Sequence, residues 1–313
     1  MFESCTGLKT VPKNLLPFTD LKTICYGEMF YNCKSLTSVP DLPATTLAQN
    51  CYQKMFYNCI SLSSVPTNYL SATTLARSCY LGTFSYCTAL TTTLSLPVMT
   101  IQPSCYLDMF NGCTKLTNAP DLPATTLANN CYQQMFANCT SLKTPPNISA
   151  QTAALCCCYG TFSGCTTLTS VPELKITTLA TDCYEEMFHG CTNLSTVPTN
   201  YLSTTTLANG CYYGMFWNCT ALTSAPQLPA TTINGSCYGH MFYGCKSLTT
   251  PPSLPAKNLV GYCYDCMFVG CKSLTSVPAL PATGLATCCY KNMFNGCTSL
   301  VTIPQNLLPA TTL

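Results

Sequence analysis

The amino-acid sequence predicts an α/β solenoid, with short parallel strands on one face and short helices on the other. The first observation is a block of about 26 residues that recurs along the whole chain. The second is that its phenylalanines are 26 or 28 residues apart without a gap. A period in this range is typical of a solenoid, in which each coil buries its apolar face against its neighbours. The repeating residues are Phe2, Phe30, Phe56, Phe84, Phe110, Phe136, Phe162, Phe188, Phe216, Phe242, Phe268 and Phe294.

These twelve registers predict one domain, a single repeat array over residues 1–313. We number the coils 1 to 12 by their phenylalanines. Phe2 lies in the middle of a repeat, and the chain stops in mid-repeat at Leu313. Solenoids normally close their ends with atypical polar repeats. We therefore expect an array that is incomplete and uncapped at both ends, either as a piece of a longer protein or with ends that meet something else.

A short helix is predicted around each repeating phenylalanine, at residues 50–59 in the clearest copy. At 100° per residue, five apolar side chains of this segment share one face. Good N-cap residues (Asn, Ser or Asp) precede it in six coils. Asn or Gly follows it in ten of twelve coils, as a left-handed residue at a helix end requires. The inward side chains are Cys51, Tyr52, Met55, Phe56 and Cys59, and the outward ones are Gln53, Lys54 and Tyr57.

A brief strand is predicted after each helix, in the pattern Cys-x-x-Leu-x-x-Val-Pro. Residues 33–40 are an example, and their short, partly β-branched Leu-Thr-Ser-Val sequence suits a strand. Pro40 then turns the chain, and residues 42–47 return across the coil. Stacked strands of successive coils would form a parallel sheet. The predicted core comprises Phe30, Phe56, Phe110, Phe162, Phe216, Cys33, Cys59, Leu36 and Leu62.

The repeating pattern also resembles a known family. Phe-x-x-Cys-x-x-Leu-x-x-Val-Pro, followed by an apolar return and another Phe, is similar to the BspA-like leucine-rich repeats of bacterial surface proteins, with similar arrays in gut bacteria and their phages. The unit here is longer, Met or Thr stands where Ala usually precedes Phe, and a Cys-Tyr pair is added. The resemblance implies a leucine-rich-repeat-like, right-handed stack of coils. It also implies an extracellular location, on a cell or virion surface, and a role in attachment.

Composition excludes several classes of function. Charged residues are 8% of the chain, the net charge is +2 and no basic run exists, so we expect no nucleic-acid partner. No apolar stretch approaches the ~20 residues of a membrane helix, so we expect no membrane insertion. The N-terminus shows no charged segment followed by a hydrophobic one, so we expect no export signal in this chain.

The sequence offers no catalytic or metal-binding motif. His189 and His240 are the two histidines, and neither pairs with a recurring carboxylate. The 27 cysteines lack the paired spacing of zinc sites. We interpret them as small buried apolar residues with free thiols, with Cys156 to Cys158 as the first place to look for an exception. We therefore expect no enzyme, no cofactor and no metal.

A binding surface is predicted from the position after each phenylalanine, which varies between coils and faces solvent in the helical projection. Single exposed aromatic residues are ordinary, whereas a contiguous strip of them can stack on sugar rings or anchor a protein. The chain is thus interpreted as a recognition or adhesion module for a protein or glycan ligand. The alternative is a filament subunit formed by head-to-tail self-association. The candidate strip is His189, Tyr213, Trp217, Tyr243, Tyr31 and Tyr57.

Overall fold

The computed structural model describes residues 1–92, 94–96 and 100–309, so the predicted boundary at residue 313 lies outside the described residues. The chain forms a solenoid in which each coil packs directly on the next. Equivalent residues of successive coils form parallel bridges, as in the series Thr100, Thr126, Thr152 and Thr178. The buried apolar side chains of all coils form one continuous cluster. The predicted solenoid is therefore confirmed.

The predicted helices are wrong: residues 50–59 and their equivalents form a row of consecutive β-turns, which we call the turn ribbon. Asn50, Lys54 and Asn58 have φ values of 55°, 50° and 57°, so a left-handed residue recurs every fourth position. The position that ends the predicted helix is left-handed in all twelve coils. The only helix in the described ranges is a 3₁₀ turn at Lys13–Leu15.

Backbone hydrogen bonding explains why the ribbon forms instead of a helix. Met55 N–H donates to the Tyr52 carbonyl within its coil, at 3.2 Å. The next N–H, that of Phe56, donates to Thr83 of the following coil at 2.9 Å. This alternation gives every N–H of residues 50–59 a partner. A ten-residue helix would leave four N–H and four C=O groups unpaired at its ends and is marginal in isolation.

The predicted brief strands are not formed in the described residues, which contain only isolated parallel bridges. Ser224 pairs with Thr250 in the segment predicted as a strand. Most other bridges lie in the returning segment, as between Leu122 and Ile148. Pro251 directly follows Thr250 and has no N–H to donate, so it cannot extend the pairing at that bridge.

The phenylalanines form an unbroken column through the core. Neighbouring rings are nearly parallel, with centroids 5.8 Å apart for Phe136–Phe162 and for Phe162–Phe188. Tyrosines form a second column, which is interrupted where Cys158 replaces tyrosine. The residues predicted as core all have side chains with no solvent exposure: Phe30, Phe56, Phe110, Phe162, Phe216, Cys33, Cys59, Leu36 and Leu62.

The cysteine that ends the turn ribbon has a specific partner in coils 2 to 12. The Cys59 thiol donates to the carbonyl of Phe30 in the preceding coil at 3.2 Å, and the Cys165 thiol donates to Phe136 at 3.1 Å. Where threonine replaces methionine before the phenylalanine, its hydroxyl acts similarly: Thr161 donates to the Tyr132 carbonyl at 3.0 Å. These side chains link neighbouring coils in addition to filling the core.

We expect only five of the 27 cysteines to react with a thiol reagent in the native protein. All 27 are free thiols, and 22 are buried. Burial raises the pKa of the Cys59 thiol to about 12, and the thiolate is the reactive form. Cys157 is an exception, since a hydrogen bond with Cys158 lowers its pKa, but its side chain is buried like the others. Labelling in denaturant without reductant should modify all 27, and a lower count would show cross-linked cysteines. The five reactive residues are Cys5, Cys25, Cys156, Cys266 and Cys288.

Replacing Gly160 by alanine distinguishes the turn ribbon from a helix by the sign of its effect. Gly160 has φ +54°, so an alanine there should cost about 1–2 kcal/mol of folding free energy. In a helix interior the same change would stabilise by about 1 kcal/mol. Gly7→Ala is the matched control, because Gly7 has no positive φ and no atom within 4 Å of the added carbon. Urea denaturation of both variants measures the difference, and stabilisation by Gly160→Ala would contradict the ribbon.

Candidate recognition surface

The outer side chains of the turn ribbon come from three columns: the third and second residues before each phenylalanine and the residue after it. In coil 9 these are Tyr213, Gly214 and Trp217. Side chains of one column lie beside those of the next coil, because the coils are joined by regular backbone bonds. Residues 26 or 28 apart in sequence therefore become neighbours on this surface.

Five rings meet on this surface in coils 8–10, and we call them the Trp217 cluster. Trp217 contacts His189, His240 and Tyr243, with centroids 5.3, 5.0 and 5.1 Å apart. Tyr213 joins the group through His240, at 5.0 Å. All five side chains are half-buried, so each presents part of its ring to solvent. The cluster is a continuous aromatic surface.

His240 is the centre of this cluster, although it is not part of the candidate strip predicted from the sequence. Its ring lies against Tyr213, Trp217 and Tyr243. Tyr213 and Trp217 would have been neighbours on a helix, but in the turn ribbon the His240 ring of the next coil contacts both. Burial lowers the pKa of His240, although Asp265 and Glu186 act in the opposite direction. The sequence feature that could have identified His240 is its position two residues before phenylalanine, which is also an outer column of the ribbon.

Acidic residues flank the cluster at coil 8. Asp182, Glu185 and Tyr213 line a shallow depression together with Asn209 and Ser236. Burial raises the pKa of Glu185 to about 7, and the nearby Asp182 and Glu186 carboxylates add to this increase. Glu185 is therefore partly protonated near neutral pH and can donate as well as accept a hydrogen bond. The depression combines carboxyl and amide groups beside an aromatic ring.

Tyr31 and Tyr57, also in the predicted strip, belong to a separate patch. Their rings are stacked with centroids 4.7 Å apart, and Tyr86 contacts Tyr57 edge-on at 5.3 Å. The Lys54 ammonium lies 5.9 Å from the Tyr57 ring centre. The column after phenylalanine then continues with non-aromatic residues in coils 5 to 7: Asn111, Ala137 and Ser163. The candidate strip is thus divided into two patches.

Comparison with known proteins identifies the repeat. A sequence profile for the BspA type leucine-rich repeat region matches residues 1–143, 82–223, 132–251 and 215–308, in six copies. No curated protein sequence matches the chain significantly. Within the described ranges, no helix has the length and hydropathy that crossing a membrane needs.

Two solved structures are similar to this chain. A leucine-rich repeat protein from Bacteroides ovatus is 23% identical, with a TM-score of 0.54 over 94% of this chain and 74% of that one. A leucine-rich cell surface protein from Faecalibacterium prausnitzii is 18% identical, with a TM-score of 0.48 over 94% and 78% of the two chains. The first similarity supports a leucine-rich-repeat solenoid, and the profile matches span nearly the whole sequence. The resemblance noted in the sequence is confirmed, and the chain belongs to the BspA-type leucine-rich repeat family.

Proposed function

We propose that the chain is a non-enzymatic recognition module of a bacterial or phage surface protein, and that the Trp217 cluster contacts its ligand. Five half-exposed rings with centroid separations of 5.0–5.6 Å carry this proposal. Aromatic rings supply large contact areas with little loss of side-chain entropy. Most other outer positions hold small or polar residues, so the cluster is a distinct feature of the surface.

The chemistry of the cluster suits a glycan or a protein side chain. The apolar faces of Trp217 and Tyr243 can pack against a sugar ring or a partner's apolar side chain. Hydroxyl and amide groups of such a ligand can bond to Glu185 and the neighbouring depression. A charge-poor surface adds little electrostatic selection, so ring contacts and a few hydrogen bonds would set the specificity.

A glycan microarray and a panel of purified cell-surface proteins test the proposal, with each hit then titrated in solution. Trp217 is the only tryptophan of the chain, so its fluorescence reports on this surface directly. We expect the bound ligand to shift or quench the emission with the same dissociation constant as calorimetry. A ligand that binds by calorimetry without changing the emission would place recognition elsewhere on the solenoid.

Electron microscopy of the same preparation separates the module from the filament alternative. Isolated short rods at micromolar concentration support a recognition module. Long unbranched fibres would support head-to-tail self-association instead, since stacked coils can extend their backbone bonding to another copy.

A further inference from the structure

Three potential metal ligands from two coils meet at one edge of the Trp217 cluster. The backbone N–H of His240 donates to the backbone carbonyl of Asp265 at 2.8 Å, and this bond fixes coil 10 against coil 11. His240 and Cys266 occupy the same column, with φ values of 56° and 54°. Their ligand atoms and a carboxylate oxygen of Asp265 all lie within 4.8 Å of one another. The backbone thus brings an imidazole, a carboxylate and a thiol together.

The Nδ1 atom of His240 is buried and has no hydrogen-bond partner among the described residues. Three aromatic rings pack around the imidazole and supply no acceptor or donor to that nitrogen. Buried polar atoms are nearly always paired, and a water or an ion is one of the partners that can satisfy an unpaired one. The unpaired Nδ1 atom therefore points to a bound ligand independently of the clustering of the three side chains.

The distances fit a tetrahedral cation of the zinc type. Zinc binds sulfur at about 2.3 Å and oxygen or nitrogen at about 2.0 Å, which places two ligand atoms about 3.5 Å apart. The Cys266 sulfur and the Asp265 Oδ1 atom are already 3.4 Å apart. The imidazole nitrogen lies within 4.8 Å of both atoms and would move closer to them to complete three of the four positions. A mixed nitrogen, oxygen and sulfur set favours zinc over magnesium or calcium, which take oxygen ligands.

The charges near the three ligands favour a cation. Asp265 and Glu186 act on His240 as negative charges, and Cys266 would add a further negative charge as a thiolate. Lys291 is the positive side chain close to Cys266. The local excess is therefore negative even though the chain carries a net charge of +2.

We propose that His240, Asp265 and Cys266 form a binding site for a zinc-type divalent cation, with a water or an oxygen of a surface ligand in the fourth position. A sequence motif does not reveal the site, because two of its ligands lie 25 and 26 residues after the first. The solenoid period supplies the proximity that a Cys-x-x-Cys spacing supplies in other zinc sites. Metal binding needs no surface ligand, so it is tested independently of the recognition function.

Titration of the full reduced chain with Co²⁺ tests the proposal, because Co²⁺ reports its ligands by absorption. We expect one tightly bound ion per chain, visible bands of a four-coordinate ion and a thiolate-to-Co²⁺ charge-transfer band. Trp217 should be quenched in the same titration, since its ring centre is 5.0 Å from that of His240. Zn²⁺ should displace Co²⁺ and abolish the bands.

Two variants and one control identify the site. His240→Gly and Cys266→Gly suit left-handed positions, and glycine already occupies this column at Gly160 and Gly214. Each should weaken Co²⁺ binding by at least about tenfold, and Cys266→Gly should remove the charge-transfer band. Cys288→Ser, which changes another half-buried thiol, should leave the Co²⁺ affinity and the charge-transfer band unchanged. No bands with excess Co²⁺, or bands that persist in Cys266→Gly, would overturn the site.

Discussion

Replacing Phe162 by alanine is expected to lower the free energy of unfolding by about 3–5 kcal/mol. The Phe162 ring has no solvent exposure and is stacked between Phe136 and Phe188, with both centroid distances at 5.8 Å. Alanine would remove the ring from both contacts and leave a cavity, because the backbone bonds on either side hold the coils apart. Urea denaturation followed by circular dichroism measures the loss.

The position of the damage is as informative as its size. Coils of a solenoid couple mainly to their neighbours, so amide exchange should accelerate first in coils 6 to 8. Phe18→Ala is a control, because Phe18 is 67% exposed and its removal should change stability by less than about 0.5 kcal/mol. A loss below about 1 kcal/mol for Phe162→Ala would show that the phenylalanine column does not hold the coils together.

The burial pattern could be predicted from the sequence although the secondary structure could not. The turn ribbon repeats every four residues, close to the 3.6 residues of a helix. Cys51, Met55 and Cys59 therefore face inward in either conformation, and all three have no exposure in the structure. The terminal Asn58 satisfies a helix cap and a turn equally well. Periodicity determined which side chains are inside, but it could not determine where the backbone N–H groups bond.

The stacking partner decides the conformation, and one coil's sequence does not contain that information. The Phe56 N–H bonds to Thr83 because the next coil offers a carbonyl at that position. Left-handed residues such as Lys54 and Cys266 are not residue types that suggest a positive φ. Only the repeated inter-coil bonds make that backbone conformation favourable at so many positions.

The same limit applies to the candidate surface. Trp217 and Tyr243 were predictable as neighbours, because both follow a phenylalanine in adjacent coils. The column of His240 also faces outward in a helical projection, but that projection does not predict the contact of its ring with Tyr213 and Trp217 of the preceding coil. Its contacts with Tyr213 and Trp217 exist because the ribbon sets the second residue before phenylalanine beside the rings of the preceding coil.

Trp217→Ala is expected to weaken binding of the surface ligand by about 2 kcal/mol or more, which is about 30-fold in the dissociation constant. The fold should tolerate the change, because Ala137 occupies the same column in coil 6. Trp217 is half-buried, whereas Phe162 is enclosed on both sides. The melting temperature of the Trp217→Ala variant should therefore fall far less than that of the Phe162→Ala variant.

Binding and stability must be measured on the same variant, because the two readouts separate three roles for Trp217. Unchanged binding with unchanged stability would make the ring an incidental surface residue and contradict the proposed recognition surface. A large fall in stability would assign it to the core. Tyr57→Ala tests the second patch in parallel. Tyr57 is stacked on Tyr31 at 4.7 Å, so this variant loses a ring contact comparable to those of Trp217. If Tyr57→Ala weakens binding and Trp217→Ala does not, the ligand contacts coils 2 to 4 rather than the cluster centred on His240.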